Sequence, residues 1–186
     1  PRAGEPANRY ATLATEINRI MARSPGQRIV VGFSLGGAVG LNAALNAPGL
    51  YDRALLLSPM LAIRGGVVVE SAVAVFGRIP GLRNLVAKPG GIRRHCHDWQ
   101  AMGRAGFCDY RLRDTVALLE LETLNERLYA ARPPTLPIQF IIAGDEKYVS
   151  NARIRKLAAR QADFGPVALY QLAANVPHEM LSPYEN

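Results

Sequence analysis

Apolar residues at the start of the chain recur with the spacing of an amphipathic helix. Residues 9–23 place four apolar side chains on one helical face: Leu13, Ile17, Ile20 and Met21. The residues Ser24-Pro25-Gly26 follow directly and are typical of the end of a helix. The pattern therefore predicts a helix over residues 9–23 that buries this face.

Four short apolar runs further along the chain predict buried β-strands. They are Arg28–Val31, Ala54–Ser58, Pro137–Ala143 and Val167–Leu172. Helical segments lie at Ala38–Asn46, after the first run, and at Asn151–Gln161, between the last two. Strands that alternate with helices at short spacing indicate the α/β class, with a mainly parallel sheet that helices flank on both faces.

The segment from residue 62 to residue 132 interrupts this alternation. It holds two apolar helical pieces, Val67–Phe76 and Thr115–Leu128, which loops rich in Gly, Pro and Arg separate. An insertion of this length between two strands is typical of a functional element rather than a simple connection. We therefore expect one α/β core, formed by residues 1–61 and 133–186, with a helical cap at residues 62–132 over the carboxyl edge of the sheet.

The residues Gly32-Phe33-Ser34-Leu35-Gly36 match the pattern G-x-S-x-G and lie between a predicted strand and a predicted helix. In this context the serine occupies a tight turn, predicted at Gly32–Gly37, where the flanking glycines avoid steric clashes and Gly37 permits close packing. The Ser34 hydroxyl then projects above the sheet at a helix N-terminus, where the helix dipole favours developing negative charge. Ser34 is thus the candidate nucleophile, and the Leu35 backbone N–H is a candidate oxyanion-hole donor.

A serine hydroxyl is a weak nucleophile unless a positioned base takes its proton. The chain has three histidines, and His178 alone follows a late predicted strand, which is where a strand–turn–helix serine site places its base. The acid of such a site lies in the loop after the Pro137–Ala143 strand, where Asp145 and Glu146 are adjacent. One of the two carboxylates would accept the imidazole N–H and fix its tautomer, and spacing alone does not choose between them.

Four stretches of the chain resemble one enzyme family. They are Gly32–Gly37, Leu57–Met60, Asp145–Asn151 and His178–Leu181. Together they are similar to the monoacylglycerol lipase and lysophospholipase group (the serine aminopeptidase type) of the α/β-hydrolase superfamily. In that group the catalytic carboxylate precedes a basic residue and lies three positions before a valine, which implies Glu146 here and leaves Asp145 in reserve. The resemblance implies a Ser34–Glu146–His178 triad that hydrolyses carboxylic esters of lipid-like substrates through an acyl-enzyme, without a cofactor.

Two parts of the family pattern fall outside the chain. The family's His-Gly oxyanion motif lies upstream of the serine strand, and its final helix follows the catalytic histidine. We therefore expect an N-terminally truncated fragment, with N-terminal strands missing and one sheet edge unpaired. Two alternatives stay open: another acyl-transfer reaction on the same triad, as in a thioesterase or an aminopeptidase, and a catalytically incomplete hydrolase-fold binding module.

Charge and composition limit the classes of substrate and binding partner that we expect. The net charge is +7, and 19 of the 22 basic residues are arginines, scattered along the chain apart from the pair Arg93-Arg94. This scatter indicates a solvated basic surface, so we expect a small-molecule ester or lysolipid substrate and no nucleic acid. The charge leaves peripheral contact with an anionic membrane surface open, and nothing in the pattern fixes the oligomeric state.

The cysteines bear on the compartment and on metal binding. Two cysteines make no disulfide framework in a chain of this length, and no apolar run reaches the roughly 18 residues of a membrane span, so we expect a cytoplasmic protein. The cluster His95-Cys96-His97, with Cys108, offers residue types that zinc prefers. Its spacing fits no paired structural-zinc pattern, and we expect no metal site.

Overall fold

The computed structural model describes residues 8–64 and 112–178, Met180, and six residues between the two long ranges (71, 72, 75, 76, 79 and 82). The chain divides into two compact units, one formed by Pro1–Gly66 with Glu120–Asn186 and the other by Val67–Leu119. Most of the second unit lies outside the described residues. The cap at residues 62–132 therefore stays a prediction.

A four-stranded parallel sheet forms the centre of the first unit. Its strands are β1 (Ile29–Phe33), β2 (Arg53–Leu57), β3 (Ile138–Ile142) and β4 (Val167–Gln171), in the order β1-β2-β3-β4. The described helices are α1 (Arg9–Met21), α2 (Leu35–Asn46), α3 (Leu112–Ala131) and α4 (Asn151–Gln161). The predicted α/β class is confirmed. Because all four strands run in the same direction, their carboxyl ends meet at one edge of the sheet. None of these described helices is both long enough and apolar enough to cross a membrane.

The register of the strands gathers the core on one face of the sheet. Leu56 is paired with Phe140, and both side chains are fully buried. Helix α2 lies against this face so closely that a Cβ on Gly40 would stand 2.6 Å from Cγ1 of Val30. On the opposite face of β1, Ile29 and Val31 are 45% and 64% exposed within the described part of the chain.

Helix α1 is rotated relative to the prediction. Leu13 and Ile20 were expected on the buried face, but they are 50% and 53% exposed. The fully buried residue is Ala14, while Ile17 and Met21 are partly buried against the core. The expected face was right for Ile17 and Met21 and wrong for Leu13 and Ile20. Helix α1 packs on another helix, α2, and the small Ala14 side chain permits a closer approach there than a leucine would.

Buried polar side chains fix α3 against its neighbours. The amide of Asn42 in α2 donates to Asn125 of α3 at 2.7 Å, and the Asn125 amide donates to the carbonyl of Ala38 at 3.0 Å. One turn further along α3, the Tyr129 hydroxyl donates to the amide oxygen of Gln161 in α4. Each pair satisfies polar atoms that would be costly to bury alone, so the bonds specify one register between these helices.

Candidate active site

Ser34 forms the whole turn between β1 and α2. The prediction of a six-residue turn at Gly32–Gly37 was wrong, because β1 continues to Phe33 and α2 begins at Leu35. A single residue can reverse the chain here because Ser34 adopts φ 51° and ψ −118°, a conformation that L-residues rarely adopt. Such a conformation costs on the order of 1–3 kcal/mol and persists where the surroundings enforce it.

Hydrogen bonds to both backbone groups hold Ser34 in this conformation. Its N–H donates to the carbonyl of Leu57 at 2.9 Å. Its carbonyl accepts from the N–H of Gly37 at 3.0 Å and from the N–H of Met60 at 2.8 Å. The end of β2 and the residues just after it therefore bond to both the N–H and the carbonyl of Ser34.

The glycines around Ser34 differ in what they permit. A Cβ on Gly32 would stand 2.5 Å from the carbonyl oxygen of Gly36, and a Cβ on Gly37 would stand 2.7 Å from the Cβ of Pro59. At Gly36 a Cβ would meet nothing within 4 Å. The expectation that both flanking glycines avoid clashes is therefore right for Gly32 and wrong for Gly36, which is an exposed residue of α2.

His178 lies after β4 and reaches two predicted partners. Its Nε2 is 2.9 Å from the Oγ of Ser34, and its Nδ1 is 2.7 Å from Oε2 of Glu146. His178 and Glu146 are each only 6% exposed. The rings of Phe33 and Tyr148 contact the imidazole, with centroids 5.2 Å and 5.3 Å away. Both aromatic residues lie in the motif stretches of the sequence, but the sequence did not predict their contact with the imidazole.

The environment of Glu146 keeps its carboxylate ionised. Burial raises the pKa of Glu146, but the hydrogen bond and charge of His178, together with the backbone hydrogen bonds from Tyr148 and Val149, outweigh burial, and the net pKa lies below its ordinary value. The N–H groups of Tyr148 and Val149 also donate to Oε1 of Glu146, at 2.9 Å and 3.0 Å. An ionised carboxylate only accepts, so Nδ1 of His178 must donate. In the neutral imidazole Nε2 is then an acceptor for the Ser34 hydroxyl.

Asp145 is turned away from the imidazole. Its carboxylate pairs with Lys147 at 2.9 Å on the surface, and its backbone N–H donates to the carbonyl of Val176 at 2.8 Å. Asp145 also forms a parallel bridge with Pro177, the residue before His178. Of the two carboxylates that the sequence left open, the structure therefore brings Glu146 to His178 and uses Asp145 to join the two loops.

The main chains of these two loops touch directly before Asp145. A Cβ on Gly144 would stand 1.9 Å from the carbonyl oxygen of Ala173 and 2.8 Å from the Cα of Ala174. No other residue type fits this approach without moving one backbone, because both obstructing atoms belong to main chain. Gly144 thus sets the distance between the loop of Glu146 and the loop of His178.

Arg64 is a contact that the sequence did not indicate. Its guanidinium donates to the carbonyl of Glu146, and its backbone N–H donates to the carbonyl of Tyr148 at 2.8 Å. Ile63 and Val149 form an antiparallel bridge beside it. The sequence placed Arg64 in the predicted insertion, and no local pattern distinguishes it from the other scattered arginines.

The remaining predicted site residues are the Leu35 N–H and the excluded zinc ligands. Leu35 is the first residue of α2, so its N–H has no acceptor within the helix. It can therefore donate a hydrogen bond to an oxyanion. His95, Cys96, His97 and Cys108 lie outside the described residues. Among the residues that are described, no group of three or more His, Cys, Asp or Glu side chains could hold a metal ion.

The chain has recognisable relatives. The model of the alpha/beta hydrolase family matches residues 2–185. No sequence among the curated proteins matches. The monoacylglycerol lipase of Paleococcus ferrophilus superposes with a TM-score of 0.63 at 15% identity, over 93% of this chain and 68% of its own.

Two further solved structures have the same fold. A soluble variant of the Saccharomyces cerevisiae monoglyceride lipase gives a TM-score of 0.62 at 9% identity, over 87% of this chain and 59% of that one. An N-formylmaleamic acid deformylase from Pseudomonas putida S16 gives 0.59 at 18% identity, over 98% and 71%. The chain thus spans 59–71% of the length of these three proteins.

The unequal glycines of the serine turn give the first prediction. Gly32→Ala is expected to lower the free energy of unfolding by about 2 kcal/mol or more, because its Cβ meets backbone atoms that cannot move alone. Gly36→Ala, at an open helical position, is expected to leave the free energy unchanged or to raise it by up to about 1 kcal/mol. Equilibrium urea unfolding measures both, and equal losses in the two variants would contradict the geometry.

Proposed function

Because the chain belongs to the alpha/beta hydrolase family, we propose that it is a serine hydrolase in which Ser34, His178 and Glu146 act as nucleophile, base and orienting acid. One observation carries the proposal. The Ser34 hydroxyl stands 2.9 Å from a buried imidazole whose other nitrogen is 2.7 Å from an ionised, buried carboxylate. A serine hydroxyl so placed has a base for its proton, and the base has a partner for the positive charge it gains.

The proposed reaction has two halves. In the first, Nε2 of His178 takes the Ser34 proton while Oγ bonds to the ester carbonyl carbon, and the Leu35 N–H donates to the oxyanion. The carbon–oxygen bond to the alcohol then breaks, and the alcohol leaves with the proton from Nε2. In the second half, water gives a proton to Nε2 and attacks the acyl carbon. Ser34 recovers its proton as the carboxylic acid departs.

The substrate class that we propose is a carboxylic ester of a lipid-like molecule, such as a monoacylglycerol or a lysophospholipid. Support comes from the family motifs around Ser34 and His178 and from the two solved structures that are named as monoacylglycerol or monoglyceride lipases. A contact of the protein with an anionic membrane surface is part of the same proposal. It rests on the net charge of +7 and on the kind of substrate.

Labelling with a fluorophosphonate tests the nucleophile. The probe forms a covalent bond with an activated serine, so intact mass is expected to show one adduct on the parent chain and none on Ser34→Ala. Ser24→Ala, which removes a partly exposed serine just after α1, is the control and should label as the parent does. An adduct that persists in Ser34→Ala, or no adduct on the folded parent, contradicts the proposal; the second result would favour a binding module.

A matched pair of substitutions tests the acid. Glu146→Gln removes the negative charge that fixes the His178 tautomer, so the labelling rate is expected to fall about 10²- to 10⁴-fold. Asp145→Asn removes the neighbouring carboxylate, which faces Lys147, and is expected to change the rate less than about threefold. The opposite order of the two rates would show that Asp145 is the acid.

A substrate panel distinguishes the acyl-transfer reactions open to this triad. We expect hydrolysis of a monoacylglycerol and a lysophospholipid to exceed that of an acyl thioester and an aminoacyl arylamide in kcat/KM. A preference for the thioester or the arylamide would reassign the substrate class and leave the nucleophile unchanged. Ser34→Ala is the blank for every substrate.

A further inference from the structure

Ser58 is a buried residue next to the candidate site with no role in the reaction proposed above. It follows β2 directly, is fully buried, and has φ 34°. Ser34 and Ser58 are the non-glycine residues with positive φ in the described part of the chain. A strained conformation at a fully buried residue persists where surrounding bonds hold it, so the bonds of Ser58 indicate what it connects.

Those bonds lead to the strand that precedes the acid loop. The Ser58 N–H donates to the carbonyl of Ile141 at 2.7 Å. The Ser58 Oγ accepts from the N–H of Ala143 at 3.1 Å, and Ala143 is itself fully buried. Ala143 precedes Gly144, where the acid loop meets the histidine loop. Ser58 thus bonds to the last residue before the pair of loops that carries Glu146 and His178.

The residues on either side of Ser58 contact Ser34 and the helix that follows it. Leu57 accepts from the N–H of Ser34, and Met60 donates to its carbonyl. Pro59 lies against Gly37 in the first turn of α2. The segment Leu57–Met60 therefore contacts the nucleophile through its backbone. It contacts the acid strand through the Ser58 N–H and, at the last residue before the acid loop, through the Ser58 hydroxyl.

We infer that Ser58 is a positioning residue that sets the distance between Ser34 and the Glu146–His178 pair. The inference rests on the proposed function. Glu146 and His178 keep their relative position, because Gly144 and Asp145 join their loops by main-chain contacts. Ser34 is held separately, by hydrogen bonds from the end of β2. The bond from the Ala143 N–H to the Ser58 Oγ connects the end of β2 to the strand end that precedes the acid loop.

Loss of the hydroxyl would leave the buried Ala143 N–H without its acceptor. Other bonds would still hold the acid loop to the segment after β2: the Ser150 N–H donates to the carbonyl of Ala62 at 2.9 Å, and Arg64 donates to the carbonyls of Glu146 and Tyr148. The expected change is therefore a shift of the loop rather than its loss. A displacement of about 1 Å between a nucleophile and its base can lower a rate about 10²-fold, while the binding of a probe elsewhere in the site is unaffected.

The test compares Ser58→Ala and Ser58→Gly with the parent. Both variants remove Oγ, but glycine also relieves the positive φ, so it folds even where the alanine variant fails to. We expect kinact for a fluorophosphonate to fall about 10- to 100-fold in both, with KI within about twofold of the parent. The pH midpoint of labelling should not change, because Glu146 and His178 remain paired. Tyr51→Phe, which removes a buried hydroxyl bond at the amino end of β2, is the control and should leave kinact unchanged.

Amide hydrogen exchange supplies a readout that does not depend on activity. The Ala143 amide is expected to lose protection in both Ser58 variants, while the Asp145 amide, which donates to Val176, keeps it. Parent-like kinact in both variants overturns the inference while Ser34 labelling still supports the proposed function. Equal loss of protection at Ala143 and Asp145, or a shifted pH midpoint, also overturns it, because Ser58 would then support the whole site. A folded parent that does not label at all removes the proposed function and this role together.

Discussion

The main-chain contact between the acid loop and the histidine loop is the constraint on which the candidate site depends. Gly144 approaches Ala173 so closely that a Cβ would stand 1.9 Å from the carbonyl oxygen, and the next residue bonds to Val176. The Asp145–Val176 bond lies one position before Glu146 and two positions before His178. These main-chain contacts place the two loops side by side, so the imidazole and the carboxylate are within hydrogen-bond distance of each other.

Strain and hydrogen bonding are coupled at the carboxyl edge of the sheet. Ser34 and Ser58 both adopt positive φ at the ends of neighbouring parallel strands, and the bonds that hold Ser34 come from the residues that flank Ser58. Each strained residue costs on the order of 1–3 kcal/mol, and the buried hydrogen bonds around them offset that cost. A parallel sheet favours such a site because it brings every strand end to one edge.

The sequence predicted the features that local pattern determines. The four strands and the positions of most helices followed from local spacing. The serine turn was predicted in the right place but too long, and the loops of Asp145, Glu146 and His178 followed from the residue order of a strand–turn–helix serine site. The rotation of α1 did not, because it depends on a small residue that faces α2. Nor could spacing separate Glu146 from Asp145, because the choice depends on residues more than 30 positions away: the Glu146 carboxylate meets His178, and the Asp145 backbone bonds to Val176. The contact of Arg64 with the acid loop likewise depends on tertiary structure that no local pattern encodes.

The tautomer of His178 tests most directly whether the buried Glu146 carboxylate sets up the site. Which ring nitrogen carries the proton depends on the hydrogen bond that each nitrogen makes. Nitrogen-15 NMR of histidine-labelled protein at alkaline pH, with the signal assigned by His178→Gln, should place the proton on Nδ1. This state should persist in Ser34→Ala and disappear in Glu146→Gln. A proton on Nε2 in the parent, or a tautomer that Glu146→Gln leaves unchanged, would contradict the role of the Glu146–His178 pair.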